Sequence, residues 1–128
     1  MKVLVIEDDK ITLNSLKHVI ESLGHKVSVA ENAETAIRKI EEDTFDLVIS
    51  DIMMPGLSGL SLLSILRNMH LCKAPIIAMS TLNNKTLLDA AYEAGANDFM
   101  IKPFSFEDLE EKLRKFEEKA QEMHVKKQ

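Results

Sequence analysis

Cysteine is almost missing from this sequence, because Cys72 is the only one among 128 residues. No disulfide can form within the chain, so its stability must come from a hydrophobic core, and the shortage fits a reducing compartment. Glycine and proline are also scarce, with 4 and 3 residues, which excludes collagen-like and Pro/Gly-rich disordered chains. We expect one ordinary globular domain in which Cys72 is a small buried apolar residue.

Long hydrophobic runs and an excess of positive charge are absent as well. The apolar run at residues 1–6 ends at Glu7, Asp8 and Asp9, which a signal peptide or membrane helix would not tolerate. We therefore expect a cytoplasmic protein that does not associate with membranes. The formal charge of −5 argues against nucleic acid as a direct partner. The histidines form no i, i+4 pair that would indicate a zinc site: they are His18, His25, His70 and His124.

Apolar stretches rich in β-branched residues alternate with stretches of helical periodicity. This alternation predicts an α/β fold of five strands and five helices. The predicted strands are residues 2–6, 26–30, 46–50, 75–79 and 98–101. Right-handed connections between parallel strands lead to a doubly wound sheet with helices on both faces. If the strand order is 2-1-3-4-5, the functional site lies at the carboxyl ends of the strands.

Each predicted helix has one apolar stripe, and several have a recognisable end. Asn32 and Ser105 are predicted to cap the second and fifth helices, while Gly24 and Gly95 end the first and fourth. A turn at Pro55 is predicted before the third helix, which starts near residue 59. The stripes contain, helix by helix, Leu13, Leu16, Ile20 and Leu23; Ala33, Ala36, Ile37 and Ile40; Leu62, Leu63, Leu66 and Met69; Leu87, Leu88 and Ala91; and Leu109, Leu113 and Phe116.

The domain is expected to occupy residues 1–120, because the remaining residues 121–128 are polar and show little pattern. We expect this C-terminal tail to fray. Two i, i+4 ion pairs are predicted on the solvent side of the fifth helix. They join Glu110 to Arg114 and Glu111 to Lys115.

Polar residues follow four of the five predicted strands. Carboxylates that meet at neighbouring strand ends repel one another unless a cation lies between them, and an oxygen-only set favours Mg²⁺. With a cation bound, an aspartate can act as a nucleophile towards phosphorus, and a lysine and a hydroxyl suit the phosphoryl oxygens. The pattern therefore predicts acyl-phosphate formation at these strand ends. The polar residues there are Glu7, Asp8 and Asp9, then Asp51, then Ser80 and Thr81, and finally Lys102, of which Thr81 is expected to be structural.

Three segments resemble the motifs of response-regulator receiver domains. They are residues 4–9 (Leu-Val-Ile-Glu-Asp-Asp), 48–56 (Val-Ile-Ser-Asp-Ile-Met-Met-Pro-Gly) and 102–104 (Lys-Pro-Phe), and the similarity extends from Met1 to about Phe116. The resemblance implies a flavodoxin-like (βα)5 fold. It also implies a two-component signalling switch, and not a conventional enzyme, that catalyses only its own phosphorylation and dephosphorylation. A sensor histidine kinase or histidine phosphotransfer protein would supply the phosphoryl group.

The resemblance also assigns roles to individual residues. Asp51 resembles the phosphoacceptor and a magnesium ligand. Asp8 resembles a direct ligand, Glu7 one that acts mostly through water, and the backbone carbonyl of Met53 would complete the metal site. Asp9 lies one position beyond the acidic pair and is expected to begin the first helix.

A second group of roles concerns the phosphoryl group and the switch. Lys102 resembles the phosphate-binding lysine, with a cis peptide to Pro103 in the family. Ser80 and Phe99 resemble the residues that move after phosphorylation. Their movement would change the surface of the fourth helix, fifth strand and fifth helix, where an unidentified protein target would dock. The protein is expected to be a monomer or a weak, phosphorylation-dependent dimer.

Each of these residues alone has a simpler interpretation. Asp8 could cap a helix, Asp51 could belong to a turn, Lys102 to a loop and Phe99 to the core. Together, four placements at four strand ends favour the functional interpretation. Two further interpretations stay open, namely a receiver fragment of a larger DNA-binding or hybrid-kinase regulator, and a phosphoryl sink.

Two other classes of protein fit the sequence less well. A haloacid-dehalogenase-type phosphatase would need a second aspartate two positions after the nucleophile, where this chain has Met53. A flavodoxin-like electron carrier would need a phosphate-binding loop of Ser, Thr or Gly after the first strand. The acidic residues there, including Glu7 and Asp8, would repel that phosphate.

Overall fold

The computed structural model describes residues 1–53, 58–69 and 71–126, with backbone only for residues 123–126. The predicted turn at Pro55, together with His70 and the side chain of His124, lies outside the described residues. Five strands alternate with five helices along the chain. In order they are β1 (Lys2–Ile6), α1 (Lys10–Ser22), β2 (Lys26–Ala30), α2 (Ala33–Glu42), β3 (Leu47–Asp51), α3 (Gly59–Asn68), β4 (Ile76–Ser80), α4 (Lys85–Ala94), β5 (Asp98–Ile101) and α5 (Phe106–Lys126).

All strand pairs in the sheet are parallel, in the order β2-β1-β3-β4-β5. The predicted α/β class and strand order are therefore confirmed. β3 and β4 each lie one residue further along the chain than predicted. In β3 the pairing with β4 continues through Asp51, which lies opposite Met79. As a result Asp51 and Ser80 are the last residues of their strands.

Two hydrophobic clusters cover the two faces of the sheet, because alternate residues of each strand point to opposite sides. Val3 and Val5 face α1 and α5, whereas Leu4 and Ile6 face α2, α3 and α4. The predicted stripes supply most of the helical core. Met69 is the exception, since its side chain is 64% exposed. It caps the C-terminus of α3 and is no longer one of the helical residues.

The predicted helix ends are confirmed. Asn32 accepts a hydrogen bond from the Thr35 N–H at 2.8 Å, and the Ser105 hydroxyl accepts one from the Asp108 N–H at 3.0 Å. Gly24 and Gly95 have φ values of 94° and 118°, the left-handed region that favours glycine. α5 runs to Lys126, into the segment predicted to be a tail. Among the described residues, no helix combines the length and apolarity needed to cross a membrane.

Asp98, at the start of β5, anchors α5 to the sheet through two lysines. Lys112 Nζ lies 3.4 Å from Asp98 Oδ1, and Lys115 Nζ lies 3.2 Å from Oδ2. The predicted ion pair of Glu110 and Arg114 is present, at 3.0 Å. The predicted ion pair of Glu111 and Lys115 is wrong, because Lys115 pairs with Asp98. Burial raises the pKa of Asp98, but a hydrogen bond from the Phe99 N–H and the two ammonium groups outweigh it and hold the pKa below its usual value.

We expect the Asp98→Asn substitution to lower the free energy of unfolding at pH 7 by about 1 kcal/mol, because the neutral amide loses its attraction to both lysines. The folded-state pKa of Asp98 is depressed, so this stabilisation is present above the unfolded-state pKa of about 4 and is lost as pH falls through the folded-state pKa. Urea unfolding of both proteins at pH 7 and at successively lower pH measures the difference.

The matched control is Asp89→Asn, because Asp89 pairs with Lys85 at 2.7 Å on the exposed surface of α4. We expect this control to leave stability nearly unchanged. A stability difference between wild type and Asp98→Asn that stays constant as pH falls would contradict the role given to the charge.

Candidate functional site

The sheet brings four of the predicted site residues to one edge. Glu7 directly follows β1, and Asp51 ends the neighbouring strand β3. Ser80 ends β4, and Lys102 follows β5, with its backbone N–H donating to the Ser80 carbonyl at 2.8 Å. Because parallel strands all end at the same edge, residues far apart in sequence become neighbours here.

Three carboxylates form a cluster at this edge. Oxygens of Glu7, Asp8 and Asp51 lie within 4.8 Å of one another. Glu7 is fully buried and Asp51 is 4% exposed, whereas Asp8 is exposed to solvent. Glu7 Oε2 is buried and has no hydrogen-bond partner among the described residues. An oxygen-only set with one unpartnered buried oxygen has the chemistry that a hard divalent cation requires.

Lys102 lies between two of these carboxylates. Its ammonium donates to Glu7 Oε1 at 2.5 Å and to Asp51 Oδ2 at 2.9 Å. The peptide bond between Lys102 and Pro103 is cis, as the resemblance implies. The lysine side chain is only 14% exposed, so water screens these ion pairs weakly.

The three charged groups change one another's protonation. Burial and the neighbouring Asp51 raise the pKa of Glu7 to about 8, although Lys102 acts in the opposite direction. Burial raises the pKa of Asp51, but the neighbouring Glu7 and the hydrogen bonds from the Met53 N–H and Lys102 outweigh it and bring the pKa below its usual value. Burial lowers the pKa of Lys102, and the two carboxylates raise it above its usual value. The two carboxylates are therefore shifted in opposite directions, so that Glu7 holds a proton more readily than Asp51 does.

Both carboxylate oxygens of Asp51 are held in place. Oδ2 contacts Lys102, and Oδ1 accepts a hydrogen bond from the backbone N–H of Met53 at 2.8 Å. Sequence reasoning assigned a role to the Met53 carbonyl and missed its N–H. An aspartate at the end of a strand that accepts from the N–H two residues later is a recurrent turn arrangement, so the signal was present in the sequence.

Gly59, the first residue of α3, was predicted only as a helix start. A Cβ at this position would lie 2.2 Å from Ile52 Cα and 2.4 Å from the Asp51 carbonyl oxygen. Real side chains do not approach backbone atoms so closely, so glycine lets α3 begin directly against the end of β3. The N-terminus of α3 therefore packs directly against the backbone of Asp51 and Ile52.

The two predicted switch residues lie on β4 and β5. Ser80 is buried, and its hydroxyl accepts a hydrogen bond from the Leu82 N–H at 3.0 Å. Phe99 is 8% exposed and belongs to the core cluster on the α4 side of the sheet. Their roles in switching stay predictions. Asp9 caps α1 by accepting from the Thr12 N–H at 3.2 Å, which confirms that it begins the helix.

Known proteins resemble this chain in both sequence and structure. The sequence pattern described as "Response regulator receiver domain" matches residues 3–114. The chain is 30% identical to the transcriptional regulatory protein CrdR of Helicobacter pylori, over 90% of this chain and 54% of that protein. It is similar to the receiver domain of the Francisella response regulator 1452, with a TM-score of 0.86 and 32% identity over 93% of this chain and 98% of that chain.

The chemotaxis protein CheY4 of Vibrio cholerae also resembles the chain, with a TM-score of 0.85 and 27% identity over 90% of this chain and 97% of that chain. By contrast, the chain spans about half the length of the curated relatives it matches. The similarity therefore concerns one domain of those longer proteins.

Asp8→Asn should weaken the binding of a divalent cation by roughly tenfold or more, because the cluster loses one of its three carboxylates. Isothermal titration with Mg²⁺, supported by Mn²⁺ electron paramagnetic resonance, measures the affinity. The matched control is Asp9→Asn, which removes the same charge one residue away and retains a good helix cap. Equal losses of affinity in the two variants would rule out a specific role for Asp8.

Proposed function

Because the chain belongs to the response regulator receiver domain family, we propose that it is a phosphorylation-controlled switch in which Asp51 accepts a phosphoryl group. The observation that carries the proposal is the arrangement of Asp51, which is held by Lys102 and by the Met53 N–H beside two further carboxylates. The depressed pKa of Asp51 keeps its carboxylate ionised at neutral pH, as a nucleophile must be.

The proposed phosphodonor is a phosphohistidine on a sensor histidine kinase or a histidine phosphotransfer protein. A carboxylate oxygen of Asp51 attacks the phosphorus, and an oxygen–phosphorus bond forms as the phosphorus–nitrogen bond breaks. The electron pair of the broken bond stays on the imidazole nitrogen, which takes up a proton. Lys102 is placed to contact the phosphoryl oxygens as charge develops on them.

The acidic cluster fits Mg²⁺, which we propose as the cofactor. Asp8, Asp51 and the Met53 carbonyl would hold it directly, and Glu7 would act mostly through water. When bound, Mg²⁺ supplies positive charge that offsets the repulsion between the carboxylates and the incoming phosphoryl oxygens. The buried, unpartnered oxygen of Glu7 supports this assignment.

Ser80 and Phe99 are the proposed switch. The Ser80 hydroxyl accepts a hydrogen bond from the Leu82 N–H and would donate its own O–H to a phosphoryl oxygen. Phe99 lies in the core beside α4, so its displacement would change the surface of α4, β5 and α5, where a protein target would dock. Phosphorylation would act by favouring one of two states. Phe99 lacks a hydroxyl, so only its packing can report the change.

We propose that the receiver domain occupies residues 1–120 and that residues 121–128 form its tail. Similarity to CheY4 supports a cytoplasmic receiver that acts by docking to a protein target, as a monomer or a weak dimer, or that serves as a phosphoryl sink. Similarity to part of the longer regulator CrdR supports the alternative, a receiver within a larger regulator. In either case the receiver itself would bind protein and not nucleic acid.

Incubation with acetyl phosphate and Mg²⁺ should add one phosphoryl group to the wild-type protein and none to Asp51→Asn, because an amide is not a competent nucleophile. Intact-mass spectrometry measures the addition. Asp9→Asn serves as the control and should be labelled like the wild type. Equal labelling of wild type and Asp51→Asn would refute the assignment of the phosphoacceptor.

The phosphorylated form should be long-lived, because Met53 and Leu82 flank the phosphorylation site and neither carries a polar group that could orient an attacking water. Their side chains are 50% and 45% exposed. Met53→Asn should shorten the lifetime by about tenfold, since an amide can position that water. The decay of phosphoprotein after removal of acetyl phosphate, with Mg²⁺ present, gives the lifetime.

Met69→Asn is the matched control, because Met69 is also an exposed methionine. It lies at the C-terminus of α3, whereas the N-terminus of that helix packs against Asp51. We expect it to leave the lifetime unchanged. A wild-type phosphoaspartate that survived for only seconds would contradict the prediction.

A further inference from the structure

β2 is an end strand of the sheet and pairs with β1. The Lys26 N–H donates to the Met1 carbonyl at 3.0 Å, and the Ala30 carbonyl accepts from the Glu7 N–H at 3.0 Å. The backbone groups of successive strand residues point to opposite edges, so the residues that bond to one neighbour alternate along the strand. The even-numbered residues of β2 therefore face β1.

The two residues between them, Val27 and Val29, direct their N–H and C=O groups away from the sheet. Outward groups on an end strand can pair with a strand of another molecule. One of these groups is occupied, because the ammonium of Lys39 on α2 donates to the Val29 carbonyl at 2.5 Å. The half-buried lysine side chain thus brings its positive charge from α2 to the open edge of β2.

The outward groups of β2 are complementary to those of a second copy of the chain. When two β2 strands meet antiparallel about a two-fold axis through Ser28, Val27 of each copy lies opposite Val29 of the other. Each such pair exchanges two hydrogen bonds, so that about four form in total. Lys39 already occupies the Val29 carbonyl in each copy, and about half of these bonds therefore cannot form.

We propose that β2 is a strand-pairing surface for a second copy of this chain and that Lys39 blocks it. The Lys39 ammonium occupies an acceptor that strand pairing needs, and it places like charges on the two sides of the junction. This inference concerns assembly and goes beyond the proposed function, since β2 carries none of the residues of the phosphoryl-accepting site.

General electrostatics makes the opposite prediction for the loss of this lysine. The formal charge of the chain is −5, so the removal of one positive charge raises the overall repulsion between two copies and should weaken their association. Arg38 separates the two explanations, because it is exposed, carries the same charge and precedes Lys39 on α2. Only the local explanation predicts stronger association when Lys39, and not Arg38, is replaced.

The first experiment measures self-association by sedimentation velocity over a range of protein concentrations, with no phosphodonor present. We expect Lys39→Met to dimerise at least about tenfold more tightly than the wild type, because the Val29 carbonyls become free to pair. Lys39→Ala removes the same ammonium with a good helix former and should behave alike. Arg38→Met adds an equivalent apolar side chain one residue away and should sediment like the wild type.

A second experiment locates the junction. In the proposed pair the two Ser28 residues lie opposite each other at a non-hydrogen-bonded position, with their Cα atoms about 4.5 Å apart, which a disulfide can span. With oxidised glutathione as the electron acceptor, Ser28→Cys combined with Lys39→Met should form a disulfide-linked dimer on a non-reducing gel. Ser28→Cys alone should form much less, and the wild type, whose Cys72 is buried, is the blank.

Three results would overturn the inference. They are a folded Lys39 variant that sediments like the wild type, an equal gain of association in Arg38→Met, and cross-linking through Ser28→Cys that does not depend on Lys39. Thermal unfolding shows whether each variant is folded. Loss of the fold in both Lys39 variants would count against the inference as well, because Lys39 would then stabilise the monomer itself.

Discussion

The contact of one lysine with two buried carboxylates is the interaction on which the site depends. Glu7 and Asp51 follow or end adjacent strands, so the sheet forces them together however strongly they repel. Burial of a second negative charge beside the first would be strongly unfavourable without a counter-charge. Lys102, which directly follows β5, supplies that charge. The raised pKa of Glu7 removes part of the remaining repulsion between the carboxylates.

The rest of the fold holds the Asp51 carboxylate in position. Asp51 ends a strand that is buried along its whole length, between neighbours on both sides. Gly59 allows α3 to begin against the same backbone, and the Met53 N–H fixes one carboxylate oxygen. Asp51 thus lies on a strand that is paired on both sides and buried. Asp8, Met53 and Leu82 occupy the loops around it and remain exposed, where a donor protein or a solvated ion can reach them.

Local sequence patterns were sufficient to predict the elements, their ends and the residues that meet at the strand ends. These features depend on neighbours within a few positions, combined with the rule that parallel strands share one edge. The wrong predictions concern Lys115 and Met69, whose environments depend on parts of the fold outside their own helix. Lys115 pairs with Asp98 and not with its helical neighbour, because that carboxylate is offered by a strand packed beneath it. Met69 fits the periodicity of α3, but it is the C-cap of the helix and its side chain is exposed.

Some features of the site could not be read from residue types at all. A periodic pattern does not reveal that a Cβ on Gly59 would collide with backbone, nor that Lys102 approaches Glu7 more closely than Asp51. Both depend on distances between segments that are remote in sequence. The Met53 N–H is different, because a donor two residues after an aspartate at a strand end follows from local turn geometry.

β5 has four residues and a single neighbouring strand. Phe99 lies within this strand, and Lys102 follows directly after it, so three peptide bonds separate a core aromatic residue from the lysine that contacts Asp51. An edge strand is held by one ladder of hydrogen bonds, whereas β3 is held by two. A short strand at the margin of the sheet, paired on one side only, therefore links the lysine beside Asp51 to the core around Phe99, whereas the strand that carries Asp51 is paired on both sides.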